Sequence, residues 1–270
     1  MNDLRLVISD IDGTLVRGDK TLSEGVIAAV KRLTDAGVMF SLISARPPSG
    51  MLWIAEKLDL TTPIGAFNGG TIVGGDGTVQ SAAHLPREVA EQTLALIDRP
   101  GIVAWVFAGG VWHAARPDTL HDPRERQSAN QDPVYGGDMA PLLDIVDKIV
   151  AVTDDTALMQ ATEAKVEQAV GHSATVVQSQ TYYLDITAQA ANKGDGVAAL
   201  AKAYGVSLDQ VAVIGDQRND LAMFARAGLS IAMGQGPQAV RDAATHVTGS
   251  NDEDGVAQAI DTILLPMVTR

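Results

Sequence analysis

Cysteine is absent from all 270 residues. That single absence excludes disulfides, thiolate zinc sites and a thiol nucleophile, and it is compatible with a reducing compartment. Long apolar runs are also missing. No stretch of about 18 uncharged apolar residues occurs, so no membrane-spanning helix is expected. The opening MNDLRLVISDIDG carries no long apolar segment ahead of Asp10, so no signal peptide is expected and a cytoplasmic protein is the simplest expectation. Basic residues are scarce, 20 against 33 acidic ones, for a net charge of −13. Such a surface repels nucleic acid, anionic membranes and, at long range, phosphorylated small molecules. An anion site on this chain must therefore be local, built from a few cations, backbone N–H groups or a bound metal. Internal repeats and low-complexity tracts are lacking too.

What is present fits a globular protein. A hydrophobic fraction of 46% and a charged fraction of 20% are ordinary, and the length allows a full core in one or two domains. Leu4 to Ser9 is a short branched run that ends in Asp-Ile-Asp-Gly, the pattern of a buried strand entering a tight loop. Ser23 caps a helix expected from Glu24 to Asp35, closed by Gly37. Val38 to Ile43 reads as a second buried strand, and Arg46-Pro47-Pro48 opens a helix. Ile64 to Phe67 is a third strand, ending at Asn68-Gly69-Gly70. Thr71 to Ala82 reads as a hairpin turning at Asp76-Gly77.

From about Leu85 to Thr187 the pattern is mixed. A helix near Arg87 to Ile97, strands IVAWVF and VWHAA joined at Gly109-Gly110, a strand at Lys148 to Val152, a helix near Ala157 to Val170 and strands TVV and YYLDI make an α+β unit. After Asn192 the α/β rhythm returns: helix Asp195 to Tyr204, strand Val211 to Ile214, helix Asn219 to Arg226, strand Leu229 to Met233 and a helix opened by Pro237. Alternating strands and helices imply a parallel sheet of right-handed units. The expected architecture is a doubly wound, Rossmann-like α/β core (residues 1–83 and 190–270) interrupted by an α+β cap domain (residues 84–189).

Polar residues gather where the strands end, at Asp10, Ser44, Asn68 and Asp216, which is where open parallel sheets bind ligands. Asp10 and Asp12 can both face one crevice if the chain turns between them and Gly13. Gly215-Asp216-Gln217-Arg218-Asn219-Asp220 is a second buried strand that breaks into acidic residues. Two such clusters repel unless a cation lies between them, and oxygen-only donors suit Mg²⁺. Lys193 adds a point charge for phosphate. A carboxylate nucleophile, a metal, a fixed cation and hydroxyl or amide donors form a phosphoryl-transfer site.

DIDGT, Ser44, Lys193 and GDQRND stand in the order of the four motifs of the haloacid dehalogenase superfamily, and the chain resembles its members over nearly its whole length. The long insert after Ser44, together with PIGAFNGG and YLDITAQAANKG, resembles the Cof-type (subfamily IIB) branch with its C2-type cap. The resemblance implies a Mg²⁺-dependent phosphatase acting on a small phosphate ester, a sugar phosphate or related metabolite. It implies Asp10 as nucleophile and Asp12 as general acid and base. Ser44, Lys193 and Asn219 would contact phosphate. The metal would be held by the Asp10 carboxylate, the Asp12 carbonyl and Asp216, with Asp220 an outer partner that holds a metal-bound water or Lys193. The second motif departs from the branch: ISARP keeps a hydroxyl but places Ala45 where glycine is frequent.

Other readings remain open at this point. A phosphomutase of the same superfamily would return phosphate to a sugar hydroxyl. A receiver-like signalling module also phosphorylates an aspartate at a strand end, but Asp12-Gly13-Thr14 and the long insert argue against it. Arg46 and Asp185 are substrate contacts or structural residues. Trp105 and Trp112 read as core, and His84, His113, His121, His172 and His246 lack metal-ligand spacing.

Overall fold

The structure is a computed structural model that describes residues 3–118 and 120–268. The chain divides into two compact units. Among the described residues, one comprises 3–45, 51–80 and 192–268; the other comprises 46–50, 81–118 and 120–191.

In chain order the first stretch gives β1 (Leu6–Ser9), α1 (Glu24–Asp35), β2 (Met39–Leu42), α2 (Pro48–Lys57), β3 (Ile64–Ala66), β4 (Thr71–Val73) and β5 (Val79–Ala82). The middle gives α3 (Arg87–Ile97), β6 (Val103–Ala108), β7 (Val111–Ala114), α4 (Asp122–Ala129), β8 (Val134–Tyr135), β9 (Val146–Val152), α5 (Thr156–Val170), β10 (Ala174–Gln180) and β11 (Tyr183–Ala188). The last stretch gives α6 (Lys193–Tyr204), β12 (Val211–Gly215), α7 (Leu221–Phe224), β13 (Leu229–Ala232), α8 (Gln238–Ala243), β14 (His246–Val247) and α9 (Gly255–Ala259).

The first unit is built on a five-stranded sheet in the order β14-β13-β12-β1-β2, with every pair parallel. Its inner strands β1, β12 and β13 are buried along their length, as continuous apolar runs require when helices cover both faces. Leu6, Ile8, Val211 and Val213 pack with Val197 and Leu200 of α6. Helix α1 starts where Ser23 accepts a hydrogen bond from the Val26 N–H at 3.1 Å. It buries Val26, Ala29, Val30 and Leu33, which the helical period puts on one face. β3, β4 and β5 form a small separate sheet.

The second unit carries a six-stranded sheet, β10-β11-β9-β6-β7-β8. It is antiparallel apart from the β7–β8 pair. Apolar residues of α3 and α5 pack on one face through Ala90, Ile97, Met159 and Val166 against Val106, Ile149 and Leu184. The side chains that alternate with these include Trp105 and Trp112. Both are 0% exposed and meet edge to face at 5.0 Å between centroids, so these tryptophans are core.

The fold departs from the sequence expectation in four places. β3 ends at Ala66, one residue early, because Phe67, Asn68 and Gly69 all take positive φ (48°, 59° and 86°). The helix expected from Asn219 to Arg226 is a tight turn at Arg218–Asp220 followed by the single-turn α7. Within that turn the Asp220 carboxylate accepts from the backbone N–H groups of Asp216 and Gln217, each at 2.8 Å, as a capping box does. α4 carries no apolar stripe and buries Asp122, Glu125 and Ala129. β8 and β14 are two residues each, below the length at which alternation can be read.

Candidate active site

The first unit gathers its polar strand ends in one place. Asp10 leaves the interior strand β1 with its N–H still donating to the Ile214 carbonyl at 2.9 Å. Asp216 leaves the neighbouring β12. Asn192 caps α6 by accepting from the Asp195 N–H at 2.9 Å, which sets Lys193 in the first turn. Lys193 then reaches Asp10 Oδ1 and Asp220 Oδ1, both at 2.6 Å. Lys193 is 2% exposed, Asp10 5%, Asp216 3% and Asp220 0%. Carboxylate oxygens of Asp10, Asp216 and Asp220 lie within 4.8 Å of one another.

Each carboxylate is placed by something specific. Asp216 accepts from the Thr14 hydroxyl at 3.0 Å through one oxygen and from the Gln217 amide at 3.0 Å through the other. Asp220 gives Oδ2 to two backbone N–H groups and Oδ1 to Lys193, so the hydrogen bonds it makes engage both of its oxygens. Gly13 has φ +80°, and a Cβ there would lie 2.5 Å from Asp216 Oδ2. Glycine is required both for the turn and for the approach of the carboxylate.

Asp12 sits on the tight turn after Asp10, where the Leu15 and Val16 N–H groups both donate to the Ile11 carbonyl. Its Oδ1 receives the Lys20 ammonium at 2.6 Å. Ser44, 2% exposed, follows β2; its N–H donates to the Gly65 carbonyl at 3.0 Å and its carbonyl accepts from the Asn68 N–H at 2.7 Å. Ala45 is not among the described residues with positive φ, so the second motif does not need a glycine there. Asn219 is exposed, at the middle of the turn before α7. The loop at Asn68 is seated by glycine: a Cβ on Gly69 would lie 2.3 Å from the Cα of Gly196, so the third strand end and the start of α6 touch through bare backbone.

Electrostatics follow from this crowding. Burial pushes the Asp10 carboxyl up to about 8; Lys193 opposes the rise, while Asp220 and Asp216 add to it. Asp216 is raised by burial and then by Asp220, against the hydrogen bonds from Gln217 and Thr14. The Lys193 ammonium is held protonated well above the usual range, because Asp10 and Asp220 outweigh its desolvation.

The donor set suits a hard divalent cation. Asp10, Asp216 and Asp220 bring three carboxylates together, and Lys193 is bonded to two of them. The acidic cluster is all oxygen, and like-charged carboxylates this close favour a bound ion over mutual repulsion.

Sequence reasoning missed Thr14 and Lys20. Thr14 lies inside the first motif, but only the structure shows it hydrogen-bonding Asp216. Lys20 lies eight residues beyond Asp12, past a Gly-Asp turn signal, and nothing in its spacing points back to the motif.

A family model described as haloacid dehalogenase-like hydrolase matches residues 7–260. The chain belongs to that family. This haloacid dehalogenase-like hydrolase is 28% identical over 261 residues to 5-amino-6-(5-phospho-D-ribitylamino)uracil phosphatase YitU of Bacillus subtilis, covering 94% of this chain and 95% of the relative. A haloacid dehalogenase-like hydrolase from Bacteroides thetaiotaomicron superposes with a TM-score of 0.86 at 28% identity, covering 97% of this chain and 100% of that one. A subclass IIB sugar phosphatase superposes at 0.84 with 20% identity, covering 98% of this chain and 100% of that one; this likeness is one of fold. The hydrolase is thus a phosphoric monoester hydrolase. No helix among the described residues is long and apolar enough to cross a membrane.

Proposed function

We propose that this hydrolase is a Mg²⁺-dependent phosphatase of a small phosphorylated metabolite, a sugar phosphate or related polyol phosphate, working through a phospho-aspartate on Asp10. The single observation that carries the reading is Lys193, buried and bonded at 2.6 Å to both Asp10 and Asp220. It fixes the nucleophile at the mouth of β1 and puts a permanent positive charge where a phosphoryl group would arrive.

The residues divide the work as follows. An Asp10 oxygen attacks phosphorus, and the bond from phosphorus to the substrate's bridging oxygen breaks. Asp12 gives its proton to that oxygen as it leaves. In the second half, Asp12 takes a proton from water, the water oxygen attacks the same phosphorus, and the acyl phosphate opens to free phosphate and the Asp10 carboxylate. Lys193, the Ser44 hydroxyl and the Asn219 amide stabilise the equatorial oxygens. The Asp10 and Asp216 carboxylates and the Asp12 carbonyl would hold Mg²⁺, with Asp220 outside them as the clamp on Lys193. Bound there, the ion neutralises charge on the transferring group and keeps Asp10 ionised. Asp12 offers the metal only its backbone, so its side chain is left to carry a proton.

The substrate class is supported by the relatives. One is named for a phosphate on a ribityl chain and another for a sugar phosphate; both are esters of a polyhydroxylated alcohol. Residues 46–50 and 81–191 serve, in this reading, as the cap that selects among such esters. Phosphate release from a panel of sugar and polyol phosphates, with Mg²⁺ and with a chelator, tests the proposal. Metal-dependent release from at least one of them is expected. Equal release with and without metal, or release from none, refutes it.

A further inference from the structure

The ion pair between Lys20 and Asp12 has no part in the division of labour above, and its geometry is costly to arrange. Lys20 has φ +68°, a left-handed conformation that an L side chain disfavours. The pair itself is partly open to water, with side chains 26% and 34% exposed, and ion pairs of that kind add little to stability. A strained backbone held for a weak stabilising contact points to function.

The loop that delivers Lys20 is tied down within itself and to one neighbouring segment. Within it, the Arg17 N–H donates to the Thr21 carbonyl at 3.0 Å and the Lys20 N–H to the Arg17 carbonyl at 2.9 Å. Asp19 accepts from the Thr21 N–H at 2.9 Å. Three further contacts fasten the loop to residues 251–254: Arg17 to Asp254 at 2.9 Å, the Gly18 N–H to Asp252 at 2.9 Å, and the Asn251 amide to the Val16 carbonyl at 2.9 Å. The ammonium is therefore held by a braced turn and does not swing on a loose one.

We propose that Lys20 is a positioning residue for the acid–base step: it grips Oδ1 of Asp12 and so presents Oδ2 to the leaving oxygen. The assignment rests on the phosphatase reading and on Asp12 as its acid and base. During ester cleavage the proton on Oδ2 passes to the bridging oxygen as the P–O bond breaks and its electron pair stays with that oxygen. During hydrolysis Oδ2 takes a proton from the attacking water. Lys20 neither gives nor receives a proton; its grip on Oδ1 restricts the rotation that would carry Oδ2 out of line, and proton transfer is sensitive to such alignment.

Orientation of an acid matters in proportion to how poor the leaving group is. The test compares kcat/KM for p-nitrophenyl phosphate, whose leaving group departs with little protonation, and for the sugar phosphate the wild-type enzyme turns over fastest. Lys20→Met is expected to lose about 10²-fold on the sugar phosphate, within the usual span of general acid–base catalysis, and roughly tenfold less on the aryl ester. Lys20→Arg is expected to recover most of the loss, since it restores a cation at Oδ1. Asp12→Asn provides the reference and should show the same bias toward the sugar phosphate, more strongly. If Asp12→Asn is biased and Lys20→Met falls equally on both esters, or on neither, or is not rescued by arginine, the assignment of Lys20 is wrong while the phosphatase reading stands. If Asp12→Asn itself shows no bias, or the wild type cleaves neither ester, the acid–base reading fails and takes this assignment with it.

Discussion

Replacing Lys193 with methionine keeps much of the volume of the side chain and removes only the charge. The lysine is 2% exposed and sits between two carboxylates that are 5% and 0% exposed, each 2.6 Å from its nitrogen. Taking one partner out of such a buried arrangement typically destabilises by about 3–5 kcal/mol, because the remaining charges have neither water nor a counter-ion. Asp10 has an escape, which gives the prediction its pH signature. Its carboxyl stands at about 8 in place of the ordinary 3.8, raised by burial and held back chiefly by Lys193. A carboxyl raised on folding favours the fold below its unfolded value and loses that advantage as pH climbs through the folded one. Without divalent cation the wild-type protein should therefore lose stability between about pH 4 and pH 8. The methionine variant pushes Asp10 higher still and extends the decline into alkali. Urea denaturation in chelator should show a gap between wild type and Lys193→Met that is smaller at pH 5, where Asp10 is protonated in both and only the Asp220 contact is lost, and that grows to about 3–5 kcal/mol by pH 9. Turnover with Mg²⁺ should fall by about 10²–10³-fold, the scale of losing one preorganised charge partner of the transferring group. A gap that stays constant with pH, or stays under about 1 kcal/mol throughout, would refute the claim that Lys193 balances buried charge.

Asp10→Asn should abolish turnover while leaving the thermal melt of the chelated protein unchanged or raised, since a neutral amide replaces a buried carboxyl; any burst of radiolabelled phosphate on the variant protein would contradict the nucleophile assignment. Thr14→Val removes the hydroxyl that Asp216 accepts at 3.0 Å. Outer partners of metal ligands are usually worth about 10–100-fold in affinity, so Mg²⁺ titration of activity should shift to higher concentration by that order, with kcat at saturation much less affected. Trp105→Ala empties a fully buried position and should lower stability by about 3–5 kcal/mol, read by chemical denaturation. A loss under about 1 kcal/mol would mean that the second unit does not depend on its aromatic cluster.

The parts of this protein that could be read in advance are those whose cause is local. Asp10 and Asp216 each follow a run of buried branched residues, so their strand ends could be placed from neighbours alone, whereas α6 begins at Lys193, two residues ahead of the expected Asp195, where Asn192 caps it. The structure then brings these three residues together across 206 positions of chain, from 10 to 216. What escaped notice has causes that are not local. α4 buries Asp122 and Glu125, so its inward face carries the residue types that pattern reading assigns to solvent. β14 exists because two residues find Ile231 and Ala232 alongside, a partner that their own sequence does not specify. The Arg218–Asp220 turn stands where the pattern predicts the start of a helix, with the Asp220 carboxylate reaching back to the N–H groups of Asp216 and Gln217. Lys20 reaches Asp12 through a left-handed turn fastened to residues more than two hundred positions away.

The register of the central sheet acts as a ruler. Ser9 stands opposite Leu42 on one side and Ile214 on the other, so Asp10 emerges level with Ile43 and Gly215, and both Ser44 and Asp216 lie one residue further along. Neighbouring strands are about 4.8 Å apart, which sets the hydroxyl and the carboxylate on opposite flanks of Asp10 at intervals dictated by backbone ladder geometry. Loop insertions elsewhere can lengthen or drift over evolutionary time without rescaling those intervals. A lineage could thus exchange one ester for another while its reaction centre keeps the same dimensions.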